Sequence, residues 1–394
     1  MRTVSANTAP CWSPGQNERC KVKLRPHGWL AGHLGEQEPK KTRRLATPPP
    51  AAALYGLDSA GELAPIREET MSINLVWRAG LIALLVLCMS GVALAEEWDF
   101  SGVDRIELEG VSGNVKLLPA GGGGGSVELR ANVSPRGNFK PSVEQDGDTL
   151  RIRESWTGRS SRGDVEWTIY VPSGSGMRIS IETASGSLSA EGISARIDLS
   201  TASGDIELID VELEGHSSLS TASGDYTIED MRIDDDVSFS TASGDIHLNH
   251  VEIGEDVSFS TASGDVRCND CRGSLVLSSA SGDVVVKNSS IDGFGKFSSA
   301  SGDVLLHLDE MPRDGLSASS ASGDVVLDGK FGRDYTLIMS AREDKGRIVN
   351  PFKTTSRRTY REGRYTYEEE VVQQGSGGPE IRLHTSSGTV RVKN

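Results

Sequence analysis

Apolar residues recur at every second position in short runs along this chain, and the runs themselves recur. Leu199, Leu219, Phe239, Phe259, Leu277, Phe297 and Ala318 form one column. Ile206, Tyr226, Ile246, Val266, Val284, Val304 and Val325 form a second. Leu208, Ile228, Leu248, Cys268, Val286, Leu306 and Leu327 form a third, and Val211, Met231, Val251 and Cys271 follow three residues later. Alternation at period two marks a half-buried strand. Between the first two columns stands Ala-Ser-Gly-Asp, at 202–205, 222–225, 242–245, 262–265, 280–283, 300–303 and 321–324, with the variant Ala184-Ser185-Gly186-Ser187 ahead of it. The glycines from Gly186 to Gly323 are spaced 18, 20, 20, 20, 18, 20 and 21 residues apart.

A unit of about 20 residues cannot bury such a face alone, whereas stacked units turn each apolar column into a ladder through a common core. The predicted fold is all-β: a β-solenoid (β-helix) of about 20-residue rungs with an N-terminal β-rich cap. Each rung reads as a strand into Ser-Gly-Asp, a corner, a short strand, a second corner and a third short strand. The motif glycine is expected at the corner because it takes φ > 0 without a Cβ penalty. Open strand edges at the ends of a stack need covering. Residues 96–175 supply one end, with strand-like runs at 105–108, 127–131, 149–153 and 165–171 and the aromatics Trp98, Phe100, Trp156 and Trp167. Val111 to Val115 is a degenerate rung, and Gly121 to Gly125 a flexible turn. The repeat rungs occupy 176–340. Residues 341–394 hold an excursion over 341–379, read as a hairpin, and a closing rung from Ile381 to Val390.

One segment breaks the pattern. Ala79 to Leu94 is the one long apolar run; it follows Arg78 and leads into the small-x-small site Ala93-Leu94-Ala95. A positive flank, a short apolar core and a small-x-small site make a signal peptide over 71–95, with cleavage between Ala95 and Glu96. The run is shorter than the roughly 20 residues a membrane-spanning helix needs, so no transmembrane anchor is expected after cleavage. The signal sits 70 residues into the chain. Either Met71 is the true start and 1–70 is a non-native or disordered leader, or 1–70 is a cytoplasmic tail before a signal anchor.

Composition narrows the class. The chain has 394 residues, 36% hydrophobic and 5% aromatic, with 45 glycines, as a turn-rich β protein requires. Its net charge of −15 argues against a nucleic-acid partner.

The sequence resembles the bacterial putative-adhesin family of repetitive β-strand domains. The carrying residues are Trp167-Thr168-Ile169-Tyr170-Val171-Pro172, then Ile181 to Ser187, the seven Ala-Ser-Gly-Asp corners, and Pro379 to Val392. The resemblance spans roughly 98–394 and implies export, a β-solenoid and no recognised catalytic residues.

Several polar columns are candidates for chemistry. Asp205, Asp225, Asp245, Asp265, Asp283, Asp303 and Asp324 stack at one corner, where calcium would relieve their repulsion. The alternative is that each satisfies turn amides. Thr201, Thr221, Thr241, Thr261, Ser279, Ser299 and Ser320 form a hydroxyl column, open to sugar binding or to a structural role. No His stands at a fixed offset from these hydroxyls, which argues against serine nucleophiles. Cys268 and Cys271 suit a local disulfide, two buried thiols, or a metal or redox CxxC. Residues 342–365 interleave eight Lys and Arg with Phe352, Tyr360 and Tyr365, as a nucleic-acid, glycan or phospholipid surface or as an end-covering hairpin.

These observations favour a non-catalytic exported protein of the cell envelope, an adhesin-like binding or structural module in the periplasm, on the outer surface or secreted. Its expected partner is an envelope protein or glycan, without cofactor or resident metal. An envelope-stress accessory protein linked to a sigma-factor system and a polysaccharide-acting β-helix enzyme are the alternatives.

Overall fold

A computed structural model describes residues 94–158, 162–174 and 176–393. The leader 1–70 and the apolar run up to residue 93 lie outside the described residues. Among those described, strands dominate, and the one helical segment is the single 3-10 turn Arg136–Asn138. No helix among them is long and apolar enough to cross a membrane.

The strands stack as parallel, in-register ladders. One ladder runs through Arg178–Ser185, Ser194–Ser203, Ser217–Thr221, Val237–Thr241, 257–261, 275–279, Gly295–Ser299 and Leu316–Ser320. A second runs through Leu188–Glu191, Ile206–Ile209, 226–229, 246–249, 266–269, 284–287, Val304–Glu310 and Val325–Gly329. A short third joins 194–195, Glu212–Leu213, 232–233, 252–253 and 272–273. The rungs that contribute to the third ladder thus have three strands, as the alternation predicts, while the last repeats keep the first two. Leu199, Leu219, Phe239, Phe259, Leu277, Phe297 and Ala318 pair residue for residue and are all buried. The Phe239 and Phe259 rings stack with centroids 4.5 Å apart and planes 10° from parallel.

The reason for the motif glycine differs from the expected one. Positive φ occurs at other glycines, such as Gly192 and Gly215, and not at the motif positions. Instead, a Cβ on Gly204, Gly224, Gly244, Gly264, Gly282, Gly302 or Gly323 would run into the carbonyl of the glycine one rung below. The backbones approach too closely there for any side chain. The left-handed conformation belongs to the second corner, at Asp210, Asp230, His250, Asp270 and Asn288, with φ between 49° and 54°. Asp and Asn tolerate it because their short side chains bond locally.

Both ends depart from sequence order. At the N-terminal end, Arg105–Glu109 lies between Thr149–Trp156 and Arg178–Ser185, and Gly113–Pro119 between Arg162–Val171 and Leu188–Glu191. The degenerate rung at 111–115 therefore joins the stack, with Gly113 beneath Gly186. Antiparallel strands close this end: Gly125–Ser134 on Arg162–Val171, Leu94–Phe100 on Gly125–Ser134, and Phe139–Asp146 on Thr149–Trp156.

At the C-terminal end, Tyr335–Arg342 and Arg347–Val349 form the outermost rung. Glu380–Thr385 and Thr389–Lys393 thread between that rung and Leu316–Gly329. The segment 341–379 therefore begins inside the stack. The hairpin Ser356–Glu362/Tyr365–Gln374 then pairs antiparallel with Tyr335–Arg342.

Candidate binding surfaces

The hydroxyl column points inward. Thr241 Oγ1 donates to Gly224 O at 3.0 Å and accepts from Gly244 N–H at 3.0 Å. Thr221, Thr261, Ser279, Ser299 and Ser320 repeat both bonds in their own rungs. Thr385 ends the series by donating to Gly323 O. Thr201, the lowest member, is buried but lacks both bonds. These hydroxyls fasten the glycine corner of one rung to the next and are closed to a sugar.

The aspartates do related work outside. Asp225 N–H donates to Asp205 Oδ1 at 3.0 Å. Asp245, Asp265, Asp283, Asp303 and Asp324 each donate to the aspartate below at 2.7–2.8 Å. Thr389 N–H donates to Asp324 Oδ1 at 2.7 Å and completes the ladder. One oxygen of each carboxylate thus holds the amide above it, and the mutual repulsion is offset by these charge-assisted bonds. Among the described residues, no group of three or more His, Cys, Asp or Glu is arranged to hold a metal ion.

Cys268 and Cys271 are brought together as a disulfide, with Cα atoms 6.2 Å apart. The bond spans the left-handed corner at Asp270, and both side chains are buried.

Of the eight cations in the run 342–365, Arg357 and Arg358 pair within the hairpin and Arg342 pairs with Asp344, while Arg361 and Arg364 stay exposed without an ion pair among the described residues. Arg357 pairs with Glu370 and with Glu368, and Arg358 with Glu369 at 2.5 Å. The Arg342 guanidinium lies 4.5 Å from the Tyr365 ring centre. Arg357 and Arg358, held this way, are poor candidates for phosphate contacts, and the strand pairings make 356–374 a hairpin over the end of the stack. Beside it, His384 Nδ1 lies 2.8 Å from Ser340 Oγ, with the Tyr367 ring tilted against it, centroids 5.2 Å apart. Burial holds the His384 pKa below its usual value.

At the other end, sequence reading missed Glu154. Its carboxylate accepts from Trp167 Nε1 at 2.8 Å, Trp156 Nε1 at 3.1 Å, Val111 N–H at 2.8 Å and Ser112 N–H at 3.2 Å. The aromatics were a signal that this end is packed. Nothing in the local sequence marks Glu154 as the acceptor that joins them.

The family model for the Toastrack DUF4097 domain matches residues 103–343, well over half of the chain. The chain belongs to the Toastrack family. The match begins at Val103, after the first strand, covers the rest of the N-terminal end and every Ala-Ser-Gly-Asp rung, and stops just past Tyr335–Arg342. No curated protein matches this Toastrack chain. The chain is also similar to the crystal structure of a "putative cell adhesion protein" from Clostridium sporogenes, at 10% identity over 76% of this chain and 99% of that one. With a TM-score of 0.18, that likeness carries no argument. The architecture rests on the Toastrack match and on the strand pairings themselves.

Proposed function

We propose that this Toastrack protein is an exported, non-catalytic binding or structural module of the cell envelope. The observation that carries the reading is the internal use of its repeated polar groups. Hydroxyl and carboxylate columns that look like chemistry in the sequence bridge one rung to the next. What remains outside is a stiff, repetitive surface suited to holding a partner. The apolar run 79–94 followed by Ala93-Leu94-Ala95 supports export. Cleavage after Ala95 would leave Glu96 to Phe100 as the first strand, still paired with Gly125–Leu129.

N-terminal sequencing of material recovered from the envelope fraction tests the export half, with Glu96 as the expected first residue. Full-length material retained in the membrane contradicts it. A pull-down from envelope fractions, paired with a glycan array, tests the binding half. Turnover of an envelope polysaccharide by the purified protein would overturn the non-catalytic reading.

A further inference from the structure

Among the described residues, the stack ends in four strands, each paired on one side only. Phe139–Asp146 carries Pro141, which removes a backbone donor and blunts that edge. Arg347–Val349 is three residues long. Two edges remain that neither a proline nor a short length blocks, each seven residues long and one at either end: Leu94–Phe100 and Ser356–Glu362, whose charges disfavour pairing with a like strand. Their charges are opposite. The first holds Glu96, Glu97 and Asp99 and no Lys or Arg; all three acids are exposed. The second holds Arg357, Arg358 and Arg361 against Glu362 alone. Arg357 and Arg358 bond back to the hairpin, while Arg361 is exposed and makes no ion pair among the described residues.

A free strand edge is a template for another strand, and paired opposite charges select which strand adds. We propose that copies of this chain join end to end, the acidic strand Leu94–Phe100 of one copy adding to the basic strand Ser356–Glu362 of the next. Two different patches meet, so the contact is heterologous and leaves a free edge of each kind after every addition. The assembly therefore grows as a chain of copies rather than closing as a dimer. Cleavage after Ala95 would shorten the acidic edge to Glu96–Phe100 but keep all three acids and their pairing with Gly125–Leu129, so this inference, which rests on strand edges and charge, stands or falls separately from the export reading.

Sedimentation velocity on protein purified from cells expressing the full chain tests it. The expected result is mass that rises with concentration beyond two copies, and that falls when salt is raised from about 0.05 M to about 0.5 M. Arg361→Glu alone and Glu97→Lys alone should each weaken assembly about tenfold, with circular dichroism unchanged. The two together in one chain restore it, because each junction then regains an opposite pair. A protein that stays monomeric at all concentrations overturns the proposal. So does a closed dimer that Arg361→Glu weakens and Glu97→Lys leaves alone, since that pattern means hairpin-to-hairpin pairing. Failure of the double variant to regain assembly also overturns it.

Discussion

Gly244 shows how tightly single residues are constrained. A Cβ there meets the Gly224 carbonyl, which is backbone and cannot swing away. Gly244→Ala should cost on the order of 3 kcal/mol in denaturant unfolding. Gly122→Ala, where an added Cβ has nothing within 4 Å, should stay within about 0.5 kcal/mol. Thr241→Val keeps the shape but removes the hydroxyl that joins Gly224 O to Gly244 N–H, and should cost about 1–3 kcal/mol. His384 gives a pH signature. Burial lowers its folded pKa, so the unfolded chain binds the proton more readily. Its contribution is intact above the unfolded pKa of about 6.5 and is lost as pH falls below that value. His384→Gln should flatten stability between about pH 6.5 and pH 5 relative to the parent, read from unfolding at a series of pH values. An unchanged slope would show that His384 does not couple protonation to folding.

The individual rung was the most legible element in the sequence, and the physical reason is its period. Alternation puts Phe239 and Phe259 in one inward column, and the parallel register at 237–241 and 257–261 gives that arrangement, with Ser238 and Ser258 on the opposite, outer face. Phe239→Ala or Phe259→Ala should cost about 3–5 kcal/mol, and Ser258→Lys within about 0.5 kcal/mol. The double Phe variant should be non-additive, because the two rings stack on each other. Ser258→Lys as damaging as Phe259→Ala would exchange the two faces. The end elements were less legible. A strand's neighbour is set by three-dimensional closure, so nothing in Glu380–Thr385 announces that it slides between Leu316–Ser320 and Tyr335–Arg342. The glycine's role was misjudged for a related reason: close backbone approach comes from the stack, whereas turn conformation is a local property. The polar columns were visible as columns, but their inward or outward use depends on which carbonyl or amide the next rung places opposite.

For the whole molecule, stability resides in contacts between neighbouring rungs, since each rung touches little else within the stack. The Thr/Ser, Gly and Asp ladders repeat the same few bonds from rung to rung, so the account depends on one property: residues 20 apart face each other across adjacent rungs between residues 206 and 261. Ser240 and Ser260 are such a pair on the outer face. Strands about 4.8 Å apart put their Cα atoms within the roughly 4.4–6.8 Å that a disulfide spans. Ser258 lies two residues off that register, displaced by about a further 6.6 Å along the strand. The direct measurement is oxidative cross-linking of two double-cysteine variants, with the new bond located by peptide mass spectrometry. Ser240→Cys with Ser260→Cys should close quantitatively without loss of stability, and Ser240→Cys with Ser258→Cys should not. Efficient closure of the second pair and not the first would contradict the in-register stack.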